Sequence, residues 1–295
     1  MLEPREAIDR INRIYGRHPH HRALHARGTF YTGTFTATSE ATALCRAAAF
    51  SGDPVPVLVR WSNGGGDPER PDQAQDVRGM AVKFQAPGGD VDLLGQTSPR
   101  FPVRTPEEFL SMTAAAQRQA TFPLWMARHP AAVPALLAGL RAKAVVPPYS
   151  YAEVSYYPIH AYAWVASDGS RSWVRYVLQP LGASDQRPDT ELTGPERLTA
   201  ELEARLAAGP IRYDVRVTVA AEGDDPHDPT SVWKGARELS AGVIEVTTKV
   251  ADPEQAGGLV VYDPTHVADG IELSDDPILR YRGASYGESI SRRSS

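Results

Sequence analysis

The stretch that decides the fold is LVRWSNGGGDPERPDQAQDVRGMAVKF, residues 58–84, in which two apolar segments flank a long polar loop. Val55–Trp61 and Gly79–Phe84 have the composition and the flanking turn residues of β-strands. The glycines at 64–66 resemble a phosphate-binding loop, but no Gly-Lys-Ser/Thr sequence and no helix follow them, which excludes a P-loop. Two successive strands without a helix between them argue against a doubly wound parallel sheet.

The rest of the chain extends this strand pattern. The eight predicted strands are Thr29–Thr38, Val55–Trp61, Gly79–Phe84, Val91–Leu94, Ile159–Ala166, Ser172–Pro180, Ile211–Ala220 and Gly242–Val250. One helical insertion, at about residues 106–145, interrupts them after the fourth strand. This order predicts an α+β fold, an eight-stranded antiparallel β-barrel with helices packed outside, and one domain over residues 1–295.

Four helices are predicted from their start signals. The first begins at Pro106, where a proline in the first turn is followed by two glutamates. The next two span about Pro130–Lys143 and Pro195–Leu206. The last, the closing helix, spans about 276–293 and begins with acidic caps and Pro277.

The composition excludes several classes of protein. The chain has 295 residues and is 42% hydrophobic, enough for a substantial core. Its net charge of −5 argues against a nucleic-acid surface. No apolar run is long enough for a transmembrane helix and no signal peptide is evident, so we expect a cytoplasmic protein that is not bound to a membrane. The single cysteine, Cys45, excludes an intrachain disulfide and a multi-cysteine metal site.

The closing helix contains an unusual pair in the sequence RGASY. Arg282 and Tyr286 lie four residues apart and so share a helix face, with only small residues between them. Tyrosine phenols have a pKa of about 10, so a phenolate ligand needs a neighbouring cation, which an arginine supplies. Small intervening residues would let a flat, rigid group lie against the helix. Taken alone, the pair is also consistent with an ordinary surface contact.

Histidines crowd the segment before the first predicted strand. They are His18, His20, His21 and His25. A zinc site is one interpretation of such a tract, but no carboxylate or cysteine stands at a recognised ligand spacing. We expect the first three to be solvated. His25 differs, because it directly precedes a strand and Arg22 lies three residues before it.

Together these segments resemble the haem catalases and, by length, most resemble their short relatives, the catalase-related peroxidases. The motifs that carry the resemblance are RALHARG, VRWSN, QDVRGMAVKF, DLLGQTSPRFPVRTPEEF, IHAYAWVASDGSRSWVRY and GIELSDDPILRYRGASY. They occur in this order from about residue 12 to residue 293. Collinear motifs over nearly the whole chain are far more specific than any one of them.

The resemblance implies a cofactor, haem b with ferric iron, and a proximal side built on the closing helix. Tyr286 would be the axial ligand of the iron, and Arg282 would stabilise its phenolate. His160 and Asp276 would extend the polar relay behind that arginine.

It also implies a distal side. His25 and the amide of Gln96 would be the catalytic residues, with Ser62 orienting the histidine and Phe109 lying over the haem. The arginines implied to pair with the haem propionates are Arg22, Arg60 and Arg293. In the implied mechanism, His25 accepts a proton from the peroxide and returns it to the leaving oxygen.

Two departures from the family pattern bear on the activity. Gln96 replaces the distal asparagine of the family, and the phenylalanine pair of the catalase channel is here Phe101 and Pro102, preceded by Arg100. The chain also lacks the segments that build the interlocked catalase tetramer, so we expect a monomer or homodimer. These features predict an oxidative-stress peroxidase that reduces hydrogen peroxide or organic peroxides with small organic electron donors and has weak catalase activity.

Several alternatives stay open at this stage. Within the haem fold they are a true hydrogen peroxide dismutase and an enzyme that rearranges hydroperoxides. From other classes they are a haem carrier or sensor with little turnover, and a non-haem metal protein that uses the histidine tract.

Overall fold

A computed structural model describes residues 2–118, 120–182, 185, 187–188, 192–254 and 258–294. Within these residues nine strands form one antiparallel sheet in the order β4-β3-β2-β1-β8-β7-β6-β5-β9. The strands are β1 Gly28–Ala37, β2 Val55–Asn63, β3 Arg78–Phe84, β4 Val91–Gln96, β5 Ala161–Val165, β6 Arg171–Leu181, β7 Ile211–Val219, β8 Arg237–Val250 and β9 Ile271–Leu273. All eight predicted strands are confirmed, with ends that differ by a few residues. The ninth was not predicted, because three residues are too few to show a pattern.

Helices occupy the segments between the strands and at both ends of the chain. They are α1 Pro4–Tyr15, α2 Ser39–Leu44, α3 Pro106–Ala116, α4 Phe122–Arg128, α5 Val133–Arg141, α6 Arg197–Ala208 and α7 Pro277–Ser294. The four predicted helices are present as α3, α5, α6 and α7. In the second of these, Pro130–Ala132 forms a 3₁₀ turn before α5 begins.

The sheet curls, so that strands far apart in its order are linked by one short segment. Tyr157 N donates to Gln96 O at 2.8 Å, which attaches this segment to β4. Tyr156 N donates to Leu178 O at 2.9 Å, which attaches it to β6. The predicted eight-stranded barrel is therefore a curled nine-stranded sheet. Its concave side holds the main core, which includes the buried aromatic residues Tyr31, Phe35, Trp61, Phe84, Trp164 and Tyr213.

The opposite face of β2–β4 carries a row of site candidates. Ser62 lies opposite Gly79, and Gly79 lies opposite Gln96, so the three share one side of the sheet. Trp61, one position away in β2, is 0% exposed and faces the core instead. The alternation along β2 thus separates the core from the candidate site.

Helices α1, α3 and α7 pack against one another and enclose a second apolar cluster. Ile8 and Ile11 of α1 and Leu110 of α3 form its buried part. Leu24 and Tyr281 pack against this cluster, so the segment before β1 and the closing helix are held by the same apolar contacts.

Two further observations bear on the sequence predictions. No helix in the described part of the chain combines the length and the apolar content that a membrane span requires. Likewise, no three His, Cys, Asp or Glu side chains of the described residues are grouped as a metal site would group them. In the histidine tract, the His18 ring Nε2 lies 3.0 Å from Tyr15 O, and His20 and His21 are exposed.

Candidate active site

Asp276 joins the start of the closing helix to a buried histidine. Its Oδ1 accepts from the backbone N–H of Ile278 at 2.8 Å and of Leu279 at 3.3 Å, which caps α7 directly before Pro277. Its Oδ2 lies 2.6 Å from Nδ1 of His160, and both residues are 1% exposed. One carboxylate therefore caps the helix and fixes the imidazole.

A chain of hydrogen bonds runs from this carboxylate to the tyrosine. Arg282 Nη1 lies 3.1 Å from His160 Nε2, and Arg282 Nη2 donates to Tyr286 Oη at 2.5 Å. Because arginine can only donate, His160 Nε2 must be the acceptor, and the ring proton lies on Nδ1, facing Asp276. Burial lowers the pKa of His160, which keeps the ring neutral. Burial also opposes the charge of Arg282, but the contacts with Tyr286 outweigh it and raise the arginine pKa.

The glycine within RGASY has a packing role. A Cβ at Gly283 would lie 2.9 Å from Thr265 Oγ1, so glycine lets α7 approach the loop before β9. Ala284, by contrast, is exposed. The sequence analysis expected the small residues between Arg282 and Tyr286 to let a flat group lie against the helix, and the structure gives Gly283 this additional packing role.

His25 has a backbone conformation that is rare outside glycine, with φ of +54°. Its N–H donates to Gly64 O at 3.0 Å, and Ala26 N donates to Gly65 O at 3.1 Å, which together fix that conformation. A Cβ at Gly66 would lie 2.2 Å from Ala23 O. The glycine triplet therefore allows two backbone segments to lie against each other, and the histidine projects from this contact.

The His25 ring lies over Gly79, next to Ser62. Its Nδ1 is 3.0 Å from Ser62 Oγ. A Cβ at Gly79 would lie 2.6 Å from the ring Cε1, so only glycine leaves room for the imidazole there. The ring lies deep in the protein but keeps part of its surface accessible.

The electrostatic surroundings of His25 keep it neutral. Burial lowers its pKa to about 3, and the positive charges of Arg60, Arg282 and Arg22 add to this effect. A neutral imidazole can accept a proton at physiological pH. The α7 arginine that binds Tyr286 therefore also influences the predicted distal histidine.

Gln96 and Phe109 occupy the neighbouring positions. Gln96 lies in the same row as Ser62, and its Nε2 donates to Ser98 O at 3.1 Å. No hydrogen bond joins it to His25 in the described structure. The Phe109 ring on α3 stacks on Phe101 with centroids 5.8 Å apart.

The three predicted propionate partners lie close to one another and differ in what they bind. Arg60 is 4% exposed and has no carboxylate partner among the described residues; its Nε is buried without a hydrogen bond. Burial lowers its pKa to about 9, and the charge of Arg22 adds to this. Arg22 Nη1 and Arg293 Nη1 instead both donate to Glu254, at 2.8 and 2.7 Å. The sequence analysis missed Glu254, because a single glutamate in a loop carries no pattern.

These residues fit a haem. A phenol held by an arginine could bind the iron, a neutral histidine could act on the peroxide, and the unpartnered Nε of a buried arginine favours an anion, which a propionate would supply. The observation that decides the fit is the unpartnered Nε of Arg60, since a buried cation without a counterion is costly.

Comparison with known proteins assigns the chain to a family. A family model described as Catalase matches residues 1–295. The chain belongs to the catalase family. A catalase-related peroxidase of Mycolicibacterium paratuberculosis is 43% identical over 297 residues, which cover 99% of this chain and 95% of that protein. A catalase-related peroxidase of Synechococcus elongatus is 30% identical over 306 residues, which cover 99% of this chain and 89% of the relative.

Solved catalases share the fold of this catalase-family chain. A fungal catalase crystal structure superposes with a TM-score of 0.79 at 23% identity, over 98% of this chain. Catalase A from Saccharomyces cerevisiae gives a TM-score of 0.78 at 22% identity, again over 98% of this chain. The chain spans only 62% and 63% of those two proteins.

Proposed function

We propose that this catalase-family chain is a haem peroxidase, which reduces hydrogen peroxide or organic peroxides with small organic electron donors and has weak catalase activity. The observation that carries the proposal is the hydrogen-bonded chain Asp276–His160–Arg282–Tyr286 opposite the neutral His25. The names of the two similar relatives, catalase-related peroxidases, support the same activity.

The proximal residues would hold the haem and stabilise the negative charge of its phenolate ligand. Tyr286 would bind the iron of haem b in the ferric state, and Arg282 would stabilise the phenolate through its donated hydrogen bond. When bound, haem supplies the redox-active iron that accepts the oxidising equivalents of peroxide. His160 and Asp276 keep the guanidinium in place, so the positive charge stays beside the phenol oxygen.

The distal residues would transfer a proton from one oxygen of the peroxide to the other. With its proton on Nδ1, the His25 ring donates to Ser62 Oγ and leaves Nε2 to accept a proton from the peroxide. The ring would then return the proton to the leaving oxygen, which departs as water from hydrogen peroxide or as an alcohol from an organic hydroperoxide. The lowered pKa of His25 keeps the ring unprotonated, and so able to act as an acceptor, before the peroxide arrives.

The choice of peroxidase over dismutase rests on Gln96. Rapid dismutation needs a second peroxide held in place after the first has been cleaved, and the distal amide is the group expected to hold it. Here the amide of Gln96 is engaged with Ser98, at 3.1 Å. An amide so occupied favours reduction by organic donors over dismutation.

The first experiment is an absorption spectrum of the purified protein and of Tyr286→Phe. The wild type should show a Soret band of the high-spin ferric, tyrosinate-ligated type, and the variant should lose it, because phenylalanine offers no oxygen ligand. Tyr281→Phe is the matched control in the same helix, since it also removes one phenol hydroxyl but Tyr281 packs against the apolar cluster of α1 and α3. A wild-type protein without a Soret band, or a Tyr286→Phe spectrum identical to that of the wild type, would refute the proposal.

A second experiment separates the activities. Dye oxidation and oxygen release are measured in parallel at millimolar peroxide, with an organic hydroperoxide as a further substrate. Dye oxidation that clearly exceeds oxygen release supports the peroxidase. Oxygen release like that of a true catalase would contradict the proposed reaction and favour a dismutase. Consumption of the organic hydroperoxide without a donor would contradict it as well and favour a hydroperoxide-rearranging enzyme.

The predictions of a single domain over residues 1–295 and of a monomer or homodimer are kept as part of this proposal. Sedimentation velocity and a single cooperative unfolding transition would test both.

A further inference from the structure

One carboxylate connects three distant parts of the chain beside the candidate haem site. Glu254 Oε2 accepts from Arg22 Nη1 at 2.8 Å, and its Oε1 accepts from Arg22 Nη2 at 3.0 Å. The same Oε1 accepts from Arg293 Nη1 at 2.7 Å. Arg22 precedes β1, Glu254 follows β8 and Arg293 lies in the last turn of α7, so a single side chain fixes the two arginines relative to each other.

The contacts of Arg22, Arg60 and Arg293 leave particular N–H donors unused. The side chains of Arg22 and Glu254 are each 15% exposed and that of Arg293 is 7% exposed, so water offers them little compensation. Both Nη atoms of Arg22 are engaged with Glu254, and Nη2 also donates to Val260 O at 2.9 Å. The Nε atoms of Arg60 and Arg293, by contrast, are buried without a partner.

The charges are also unbalanced. Arg22 and Arg293 contact one carboxylate between them, and Arg60 interacts with that carboxylate only through space. Asp252, the next acidic group, acts on Arg22 and Arg60 only through space, and its Oδ1 accepts the backbone N–H of Glu254 at 2.9 Å. Even with Asp252 counted, positive charge is in excess, which suits the arrival of a dianion such as a pair of propionates.

We propose that Glu254 is a positioning residue for the haem: its carboxylate clamps Arg22 and Arg293, which directs the unused donor of Arg293 to the propionates, and its charge lowers the reduction potential of the bound iron. This inference rests on the proposed haem binding. It adds a residue that the family resemblance did not assign.

The physical consequences follow from charge and geometry. Without the carboxylate, Arg22 and Arg293 repel each other and lose their common anchor, so the propionates lose ordered donors. Losing one charge-assisted hydrogen bond corresponds to about a tenfold change in affinity. Removing a negative charge near the iron also favours the reduced state, which carries one positive charge fewer.

The experiment measures haem release and potential in the loaded protein. Glu254→Gln keeps the size and removes the charge, whereas Glu254→Asp keeps the charge and shortens the arm. Glu272→Gln is the control, because Glu272 forms an exposed surface pair with Arg171 at 2.9 Å. The readouts are the rate of haem transfer to apomyoglobin and the midpoint potential from spectroelectrochemistry.

We expect Glu254→Gln to release haem about tenfold faster and to have a higher midpoint potential. Glu254→Asp should release haem faster but keep a potential near that of the wild type, and Glu272→Gln should change neither. Unchanged release and potential in Glu254→Gln, or faster release at an unchanged potential, would overturn the assignment. Failure of the proposed function would look different, because the wild-type protein itself would then show no Soret band.

Discussion

Adding one methyl group at Gly79 should displace the candidate distal histidine while leaving the sheet intact. A Cβ at this position would lie 2.6 Å from His25 Cε1, 2.7 Å from its Nδ1 and 2.9 Å from Ser62 Oγ. Carbon atoms in contact prefer about 3.5–4.0 Å, so the ring must move by roughly 1 Å. The three nearest atoms belong to the side chains of His25 and Ser62, so we expect these side chains to move and the backbone of the sheet to stay in place.

The expected cost is larger in activity than in stability. A displacement of about 1 Å at a reacting group can cost about 10²-fold in rate. Inserting a methyl into a packed site typically costs about 1–3 kcal/mol, which a folded domain of this size can tolerate. Gly79→Ala should therefore remain folded, bind haem and lose about two orders of magnitude in kcat/KM for peroxide.

The assay is peroxide-dependent dye oxidation, with the Soret band and the urea midpoint as measures of haem content and stability. Gly287→Ala is the control, since a Cβ there meets no heavy atom within 4 Å. A Gly79→Ala protein with a normal Soret band and activity within threefold of the wild type would refute the assignment of His25, because the displaced ring would then be irrelevant to turnover.

Three further predictions follow from the buried charges and the distal amide. Because the pKa of His25 falls from 6.5 to about 3 on folding, the unfolded chain takes up a proton that the folded chain refuses, and stability should decrease as the pH drops from about 6.5 toward 3. Urea midpoints across this range should fall less steeply in His25→Gln than in the wild type, and equal slopes in the two proteins would contradict the lowered pKa of His25. Arg60→Leu should raise the urea midpoint of the haem-free protein, because it removes a buried cation without a counterion, and should weaken haem binding in a titration; stronger binding would contradict the propionate assignment. Gln96→Asn should free the distal amide from Ser98 and raise the ratio of oxygen release to dye oxidation, whereas an unchanged ratio would show that Gln96 does not decide the reaction.

The strands could be predicted because their signals are local, and the candidate site residues were implied by the family resemblance. Alternation of polar and apolar residues located β1–β8, and the spacing of Arg282 and Tyr286 implied a shared helix face, which their 2.5 Å hydrogen bond confirms. Collinear motifs then related Asp276 and His160 to the same helix, and the 2.6 Å contact between them agrees.

The parts that could not be predicted depend on tertiary contacts. Glu254 is one of many glutamates in the sequence, and only the fold brings it to Arg22 and Arg293. Gly79 appeared as an ordinary strand residue, because nothing in the sequence shows that an imidazole lies above it. The engagement of Gln96 with Ser98 depends on rotamers that no pattern encodes.

The candidate site residues come from segments far apart in the sequence, which has a consequence for local unfolding. Arg22 and His25 precede β1, whereas Arg282 and Tyr286 lie in α7, which follows the nine described strands. Because α7 packs against α1 and α3, detaching this helix would separate the two halves of the site while the backbone hydrogen bonds of the sheet stay in place.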